Sequence, residues 1–483
     1  MRSPDSSAMY YDGSGHRVVF LLPTLWVLVL FMLPGIVQAQ FRYITNNGTI
    51  TITQFIGPGT SVTIPAATNG LPVTAIGNNG FYSGTLTNVN IPASVTNIGN
   101  WAFAYCSSLT SITVDASNPA YSSSDGILLD KPQVTLVGFP VGRFGSYAIA
   151  SSITAIGDYA FYGSTLFDIT IPGSVTNIGN HAFNSCYSLG SVAIPASVIQ
   201  IGTDAFSACT SLTEITVDPS NPAYTSSNGV LFDKAQVTLI QAPAGLDGSF
   251  TIPNGVVTIA VDAFYQCFNL TSVAFPDSVT SVDDHAFYQC SSLSSVTLPN
   301  GLTNIANYAF ASCAAITNLT LPNALQSIGM NAFNSCYSLA SVTIPKSLIS
   351  LGSLAFSSCS GLKSASFEGN APHDTGDAFS GDPLATVYYL PGATGWGSKF
   401  GGVPSVLLNP PAQLQAEAPG VVNGKFSFEL IGPTNRVVIV QACTNLSNPV
   451  WIPVSTNTLV GGTSSFSDSQ WAGYSVRFYR LTD

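Results

Sequence analysis

Polar and apolar positions along this chain repeat as one fixed phrase. Ala-Phe recurs at Phe103, Phe161, Phe183, Phe206, Phe264, Phe287, Phe310, Phe333, Phe356 and Phe379, and Phe81 in Gly-Phe-Tyr is a variant. From Phe264 to Phe379 every step is 23 residues, and the two long steps are 58, which is 23 plus 35. Self-similarity at this period marks a repeat architecture, each repeat being one supersecondary unit. After Phe287 come Leu293, Val296 and Leu298; other units place Leu109/Ile112/Val114, Leu189/Val192/Ile194, Leu212/Ile215/Val217 and Leu339/Val342/Ile344 there. The alternation at Val296-Thr297-Leu298 predicts a short strand, with Val and Leu inward and Thr outward. A proline follows (Pro92, Pro172, Pro195, Pro299, Pro322, Pro345), which removes a backbone donor and turns the chain. A second apolar pair comes next, as at Val95/Ile98, Val175/Ile178 and Leu325/Ile328, often with Gly after the Ile. The Ala-Phe-x-x-Cys stretch is expected to be a short helical turn that stacks Phe into the core.

One such coil cannot bury its apolar residues alone, so neighbours must cover them and stability must come from stacking. Eleven Phe positions at ~4.8 Å per stacked strand predict a rod or arc of roughly 50 Å before end caps. Cysteine follows the same plan. Cys106, Cys186, Cys209, Cys267, Cys290, Cys313, Cys336 and Cys359 each sit three residues after a repeat Phe. Phe81 and Phe161 have Gly84 and Ser164 there, and the next Leu (Leu86, Leu166) comes one residue early. An even set of Cys in a secreted chain ordinarily suggests disulfides. Here every thiol occupies an equivalent site, which points instead to a column of small, buried, weakly hydrogen-bonding residues. Cys443 lies outside the repeats and is read as a lone core or strand residue.

The full motif reads Ser-Leu-x-x-Val-x-Ile-Pro-x-x-Val-x-x-Ile-Gly-x-x-Ala-Phe-x-x-Cys and resembles the BspA-type leucine-rich repeats of bacterial surface and secreted proteins. The two long steps resemble that family's inserted segments: Val114-Asp115-Ala-Ser-Asn-Pro-Ala-Tyr121 through Lys131, and Val217-Asp218-Pro-Ser-Asn-Pro-Ala-Tyr224 through Lys234. Each looks like a β-hairpin extension, with Asp125-Gly126 or Asn228-Gly229 as turn residues. The resemblance covers roughly residues 41–409. It implies a non-enzymatic role in adhesion or protein interaction, and no particular ligand.

The expected fold is therefore a β-rich leucine-rich-repeat solenoid, with a short strand per coil and short helical turns, followed by a small C-terminal β-sandwich. The expected order is a signal peptide (1–39), a capping hairpin and first coil (40–80), and the solenoid (81–409). Within the solenoid are hairpin inserts near 115–150 and 218–253 and a C-terminal cap at 383–409. A linker (410–423) and a β-sandwich-like module (424–483) complete it. In that module Lys425–Leu430, Arg436–Ala442 and Val476–Leu481 read as strands, and Trp451 and Trp471 as core anchors.

Charge changes the picture by exclusion. Only 8% of the 483 residues are charged, with 13 basic against 24 acidic and a net charge of −11. Helical proteins usually carry far more charge on their solvated faces, so Ser, Thr and Asn must cover this surface. The balance also argues against nucleic acid, whose phosphates require a Lys/Arg surface. At the N-terminus an apolar run from Val18 to Leu33 leads to Val37-Gln38-Ala39 before Gln40, the pattern of a secretory signal peptide. An uncleaved signal anchor is the alternative. No second stretch approaches the ~20 apolar residues of a membrane span.

Candidate chemistry is sparse. His181 and His285 stand before the repeat Ala-Phe, a variable position read as exposed, and His373 lies alone in a loop. No nucleophile elbow or Cys-x-x-Cys is present, so no catalytic, cofactor or metal residues are assigned. Asp283-Asp284 and the loops at 115–125 and 218–228 could offer oxygens to Ca²⁺, but turn and capping roles account for them. The candidate binding face is the outward strand position: Thr113, Thr170, Thr216, Thr297, Thr320 and Thr343, interrupted by Ala193 and Ala274. β-Propensity on a solvated sheet is the plainer explanation of such a column. The leading function is a secreted or cell-surface protein that binds an extracellular protein or glycan. The alternatives are a structural spacer displaying the C-terminal module, and ice or crystalline-surface binding by the Thr column. No oligomeric state is indicated.

Overall fold

A computed structural model describes residues 40–82, 84–408, 420–431, 437–447, 449–460 and 463–482. The expected signal peptide and residues 410–419 of the expected linker lie outside them. Among the described residues no helix is long and apolar enough to cross a membrane.

The repeat forms a β-solenoid. Each coil contributes one strand of three to six residues and, past the proline turn, a second of two, as in Ser295–Thr297 followed by Asn304–Ile305. Both stack in parallel and in register, giving two long sheets on different sides of the coil: Val296 pairs with Val273 and Leu319, and Ile305 with Val282 and Ile328. The third side is a turn, and here the structure corrects the sequence reading. Ala-Phe-x-x-Cys is not helical. The residue two before Phe and the residue two after it take left-handed backbone, as at His285 (φ 55°) and Gln289 (φ 60°) around Phe287. These reversals point successive amides at the next coil instead of back along the chain. Phe287 N–H donates to Ala309 O at 2.7 Å and Phe310 N–H to Ala332 O at 2.8 Å, so a third backbone ladder runs along the turns.

The Phe rings form a buried stack on the axis, with centroids 5.0 Å apart and planes within 2° for Phe287–Phe310, and 5.4 Å and 3° for Phe310–Phe333. The thiols complete the ladder. Away from the septa and the C-terminal end, the Phe amide bonds forward and the Phe carbonyl accepts from the cysteine of the following coil, as in Cys313 Sγ to Phe287 O at 3.1 Å and Cys290 Sγ to Phe264 O at 3.1 Å. A small buried donor is required there, which is why Cys recurs. All nine cysteines are buried and free, and burial pushes the Cys290 and Cys313 thiols well above the ordinary range. Coils approach so closely after the second strand that a Cβ on Gly202 would lie 2.5 Å from the Asn180 amide, so glycine is obligatory where this approach is tightest.

The inserts do more than extend an edge. Tyr121–Ser124 and Ile127–Asp130 form the hairpin, with Asp125 and Gly126 at φ 49° and 71°. Ile127–Asp130 then pairs antiparallel with Thr135–Gly138, which rejoins the second sheet. This middle strand is buried on both faces. Leu128 belongs to the core beneath it, and Ile127 and Leu129 to the next core. Val230–Asp233 repeats the arrangement, with Leu231 facing back and Val230 and Phe232 forward. Each insert is thus a septum, and the solenoid interior divides into three apolar cores. The septum also satisfies the coil it covers. Gly126 O accepts from Ile112 N at 2.8 Å, the Tyr121 hydroxyl from Ile98 N at 3.2 Å, and fully buried Asn118 donates to Pro92 O and Val95 O at 2.8 Å. Each insert also adds a coil without Ala-Phe. Phe139 fills the ring position in the first, stacked 4.9 Å from Phe161, and Ala242 fills it in the second.

The ends are closed. Phe41 and Phe55, from an antiparallel hairpin turning at Asn47-Gly48, cover Phe81 at 6.2 and 5.7 Å. At the other end Gly401 lies directly on Phe379 and accepts its amide.

Beyond the solenoid, two three-stranded antiparallel sheets share a core of Phe428, Leu430, Val438, Val440, Leu459 and Phe466. The tryptophans are not its anchors. Trp471 hydrogen-bonds Gly424 O through its indole, and Trp451 lies under the Arg480 guanidinium. Their polar edges keep them at the surface, and phenylalanine fills the centre.

Candidate functional site

Two surfaces of the solenoid carry candidate chemistry. The first is the outer face of the longer strands. Register aligns Thr297, Thr320 and Thr343 on adjacent strands, with Ala274 before them and Ser366 and Tyr388 after. Two residues earlier on each strand, Ser295, Asn318 and Ser341 form a parallel exposed row. The other three threonines are not brought to this cluster. Thr113 neighbours Asn90, whose side chain takes its hydroxyl, beneath the first septum. Thr170 neighbours Ala148, and Thr216 neighbours Ala193 beneath the second septum. The Thr column is therefore one block of three rows and three separate sites: the septa set Thr113 and the block apart, and Ala193 stands between Thr170 and Thr216.

The second surface is the turn side, where sequence reasoning found no site. The position before Ala-Phe is not simply exposed. Trp101, Tyr159, His181, His285 and Tyr308 are half-buried there, and all hold left-handed backbone, φ 53–58°. Asn and Asp tolerate this conformation and occupy the same position at Asn331, Asp204 and Asp262. A bulky ring there costs about 1–2 kcal/mol. Stacking offsets part of it: Trp101–Tyr159 centroids lie 4.5 Å apart, Tyr159–His181 4.8 Å, and His285–Tyr308 4.8 Å.

Where each septum enters, the turn side opens into a crevice, and the two crevices have equivalent walls and opposite chemistry. The first, about 80 Å³, has Ile98, Gly99, Leu128 and Val137 in its wall and Trp101, Tyr159 and Tyr162 at its mouth. The second, about 350 Å³, replaces these with Ile201, Gly202, Leu231, Ile240 and Asp204. Asp204 lines it and Asp262 lies beside Asp204, the two holding the turn positions that Trp101 and Tyr159 hold at the first. Burial, reinforced by the Asp204 carboxylate, pushes Asp262 up to about 8. His181 Nδ1 lies 3.6 Å from Asp204 Oδ2.

The remaining polar candidates serve the fold. Asp115 accepts from the Ser117 amide and hydroxyl, and Asp218 does the same with Ser220. Asp283 accepts from Ser281 and Asp284 from the Asn307 amide. His373 is an exposed strand residue at the C-terminal end of the second sheet. Among the described residues no group of three or more His, Cys, Asp or Glu is placed to hold a metal ion.

The model of the BspA type leucine-rich repeat region matches in six copies over residues 60–124, 141–247 and 248–389, leaving out most of the first septum. Among solved structures, a leucine-rich cell surface protein of Faecalibacterium prausnitzii is 32% identical. That likeness covers 68% of this chain and 94% of the other, with a TM-score of 0.50. The pneumococcal vaccine antigen PcpA is 20% identical over 72% of this chain and 86% of its own, at 0.44. A leucine-rich repeat protein of Eubacterium ventriosum is 25% identical over 68% and 94%, at 0.36. No curated protein matches the chain.

Proposed function

Because the chain belongs to the BspA-type leucine-rich repeat family, we propose that it acts at the bacterial cell surface as a non-catalytic binding protein for an extracellular protein or glycan. The observation that carries this is the uncharged outer sheet over Ser295–Thr343. Its rows are fixed by backbone pairing on both sides, so a partner meets a surface that needs no ordering before contact. Solenoids commonly offer such extended surfaces to extended partners. The solved relative from Faecalibacterium prausnitzii, described as a cell surface protein, supports the location.

The test is a cross-linked pull-down from bacterial and host extracts with residues 40–483, beside the variant Thr297→Lys/Thr320→Lys/Thr343→Lys. Loss of the captured partner, with circular dichroism unchanged, places the contact on the sheet. Equal capture by both forms removes the sheet from the mechanism. A second reading has its own observation. The C-terminal module, which we read as a β-sandwich, has a groove of about 540 Å³ lined by Tyr474, Asp468 and Arg477. If this groove is the binder and the solenoid its spacer, deleting residues 410–483 abolishes capture.

A further inference from the structure

The turn side of the first two cores carries a chain of aromatic rings that the fold does not require. Tyr82 contacts Tyr105 at 4.9 Å, Tyr105 contacts Tyr162 at 6.5 Å, and Tyr162 contacts Trp101 at 6.4 Å. Trp101 contacts Tyr159, and Tyr159 contacts His181. The six rings thus form two cross-linked rows along the solenoid axis across the first septum, Tyr82–Tyr105–Tyr162 and Trp101–Tyr159–His181. Tyr82 and Tyr105 are 63% and 45% exposed, so solvent reaches the strip from the side. Trp101, Tyr159 and His181 occupy left-handed positions that Asn or Asp would fill with less strain, as the same column does elsewhere. Strain kept at three successive Ala-Phe turns points to a use for the rings beyond folding.

The chemistry around the rings selects the occupant. No lining residue of the crevice is cationic, and exposed Asn100 and Asp158 stand on its rim. Together with a net charge of −11, this disfavours sulfated or uronic polysaccharides and phosphate polymers. A pyranose offers the complement: a C–H face that packs on aromatic rings, and hydroxyls at its edge that donate to amide and carboxylate oxygens. A crevice of about 80 Å³ is too small for a sugar ring, but it suits a hydroxymethyl or acetamido substituent projecting from one. We infer that the strip from Tyr82 to His181, centred on Trp101 and Tyr159, binds an uncharged glycan chain laid along the solenoid axis, with one substituent inserted at the first septum. This rests on the surface-binding role above and names a ligand class and a second face for it.

The experiment is isothermal titration of residues 40–483 with cellohexaose and with chitohexaose, beside Trp101→Asn and Trp101→Asn/Tyr159→Asn. Asparagine suits the left-handed backbone, so these variants keep or raise the melting temperature and do not confound binding with folding. The expected result is binding of one or both oligosaccharides that weakens at least tenfold in Trp101→Asn and vanishes in the double variant, accompanied by a change in tryptophan fluorescence lost with Trp101. No heat with either sugar at millimolar concentration overturns the inference, as does binding that survives the double variant. Pull-down of a protein partner that requires Trp101, with no sugar bound, overturns it in favour of a protein-binding strip. Thr297→Lys/Thr320→Lys/Thr343→Lys should leave sugar binding unchanged, so failure of the sheet-face reading and failure of this one give different results.

Discussion

Replacing Phe310 by alanine tests whether the axial ring stack is the mechanical basis of the fold. Phe310 is fully buried between Phe287 and Phe333 at 5.0 and 5.4 Å. Phe→Ala in a core costs roughly 3–5 kcal/mol, the upper part applying where the site cannot collapse. Collapse is prevented here. The amide of Phe310 is held by Ala332 O, that of Phe287 by Ala309 O, and the Phe310 carbonyl by the Cys336 thiol at 3.4 Å. A loss of about 4–5 kcal/mol is therefore expected, roughly 0.5–1.5 kcal/mol of it per lost ring pair. Because coils touch only their neighbours, the damage should be local. Urea denaturation gives the total, and hydrogen exchange by mass spectrometry gives the distribution. Amides of residues 287–356 should lose protection, while those of residues 41–114 keep it. A total below about 1 kcal/mol, or an even loss of protection along the chain, refutes the stack as the organising element.

Three further outcomes follow from the same geometry. Asp262, held near 8 when folded against an ordinary carboxyl near 3.9, keeps a proton that the unfolded chain releases. Stability should therefore fall as pH rises from about 4 to 8, by roughly 1–3 kcal/mol allowing for its partial exposure; Asp262→Asn should flatten that slope in urea melts, and an unchanged slope rejects the assignment. Asp382, both of whose carboxyl oxygens are buried without a partner and which burial pushes up to about 7, should add a smaller drop of the same sign, removed by Asp382→Asn. The column thiols should resist Ellman's reagent in the native protein and all react in urea, and Cys313→Ala, which strands the Phe287 carbonyl, should cost about 1–3 kcal/mol in the same melts.

The repeat was legible because its period is long, regular and tied to residues with one steric role each: Phe on the axis, Pro at the turn, Gly at the close approach. The turn conformation was not. Left-handed backbone at Tyr159, His285, Tyr308 and Gln289 contradicts local preference, and what holds it is the amide ladder to the next coil, a contact between residues 21 or 22 apart. The aromatic strip was missed for the same reason, since a variable position before Ala-Phe reads as plain surface until the backbone reversal turns it sideways. The septa were half legible. Asp125-Gly126 announced a hairpin, and the unbroken Ile127-Leu128-Leu129, matched by Val230-Leu231-Phe232, carried the sign of a strand covered on both faces. A composition so poor in charge did signal a surface of hydroxyls and amides, but not which part of it is flat enough to meet a partner.

Equivalent septa at Leu128 and Leu231 make the stretch between them a cassette. Val114-Asp115 and Val217-Asp218 open the two inserts at matching points of the coil, so excising residues 115–217 would splice one strand end to the next insert with every backbone partner preserved. Length in this molecule can change in whole blocks without a new design for the interface. The same excision would set Trp101 opposite Asp262, pairing an aromatic wall with an acidic one. Recombination between inserts therefore yields new crevice chemistries on an unaltered frame.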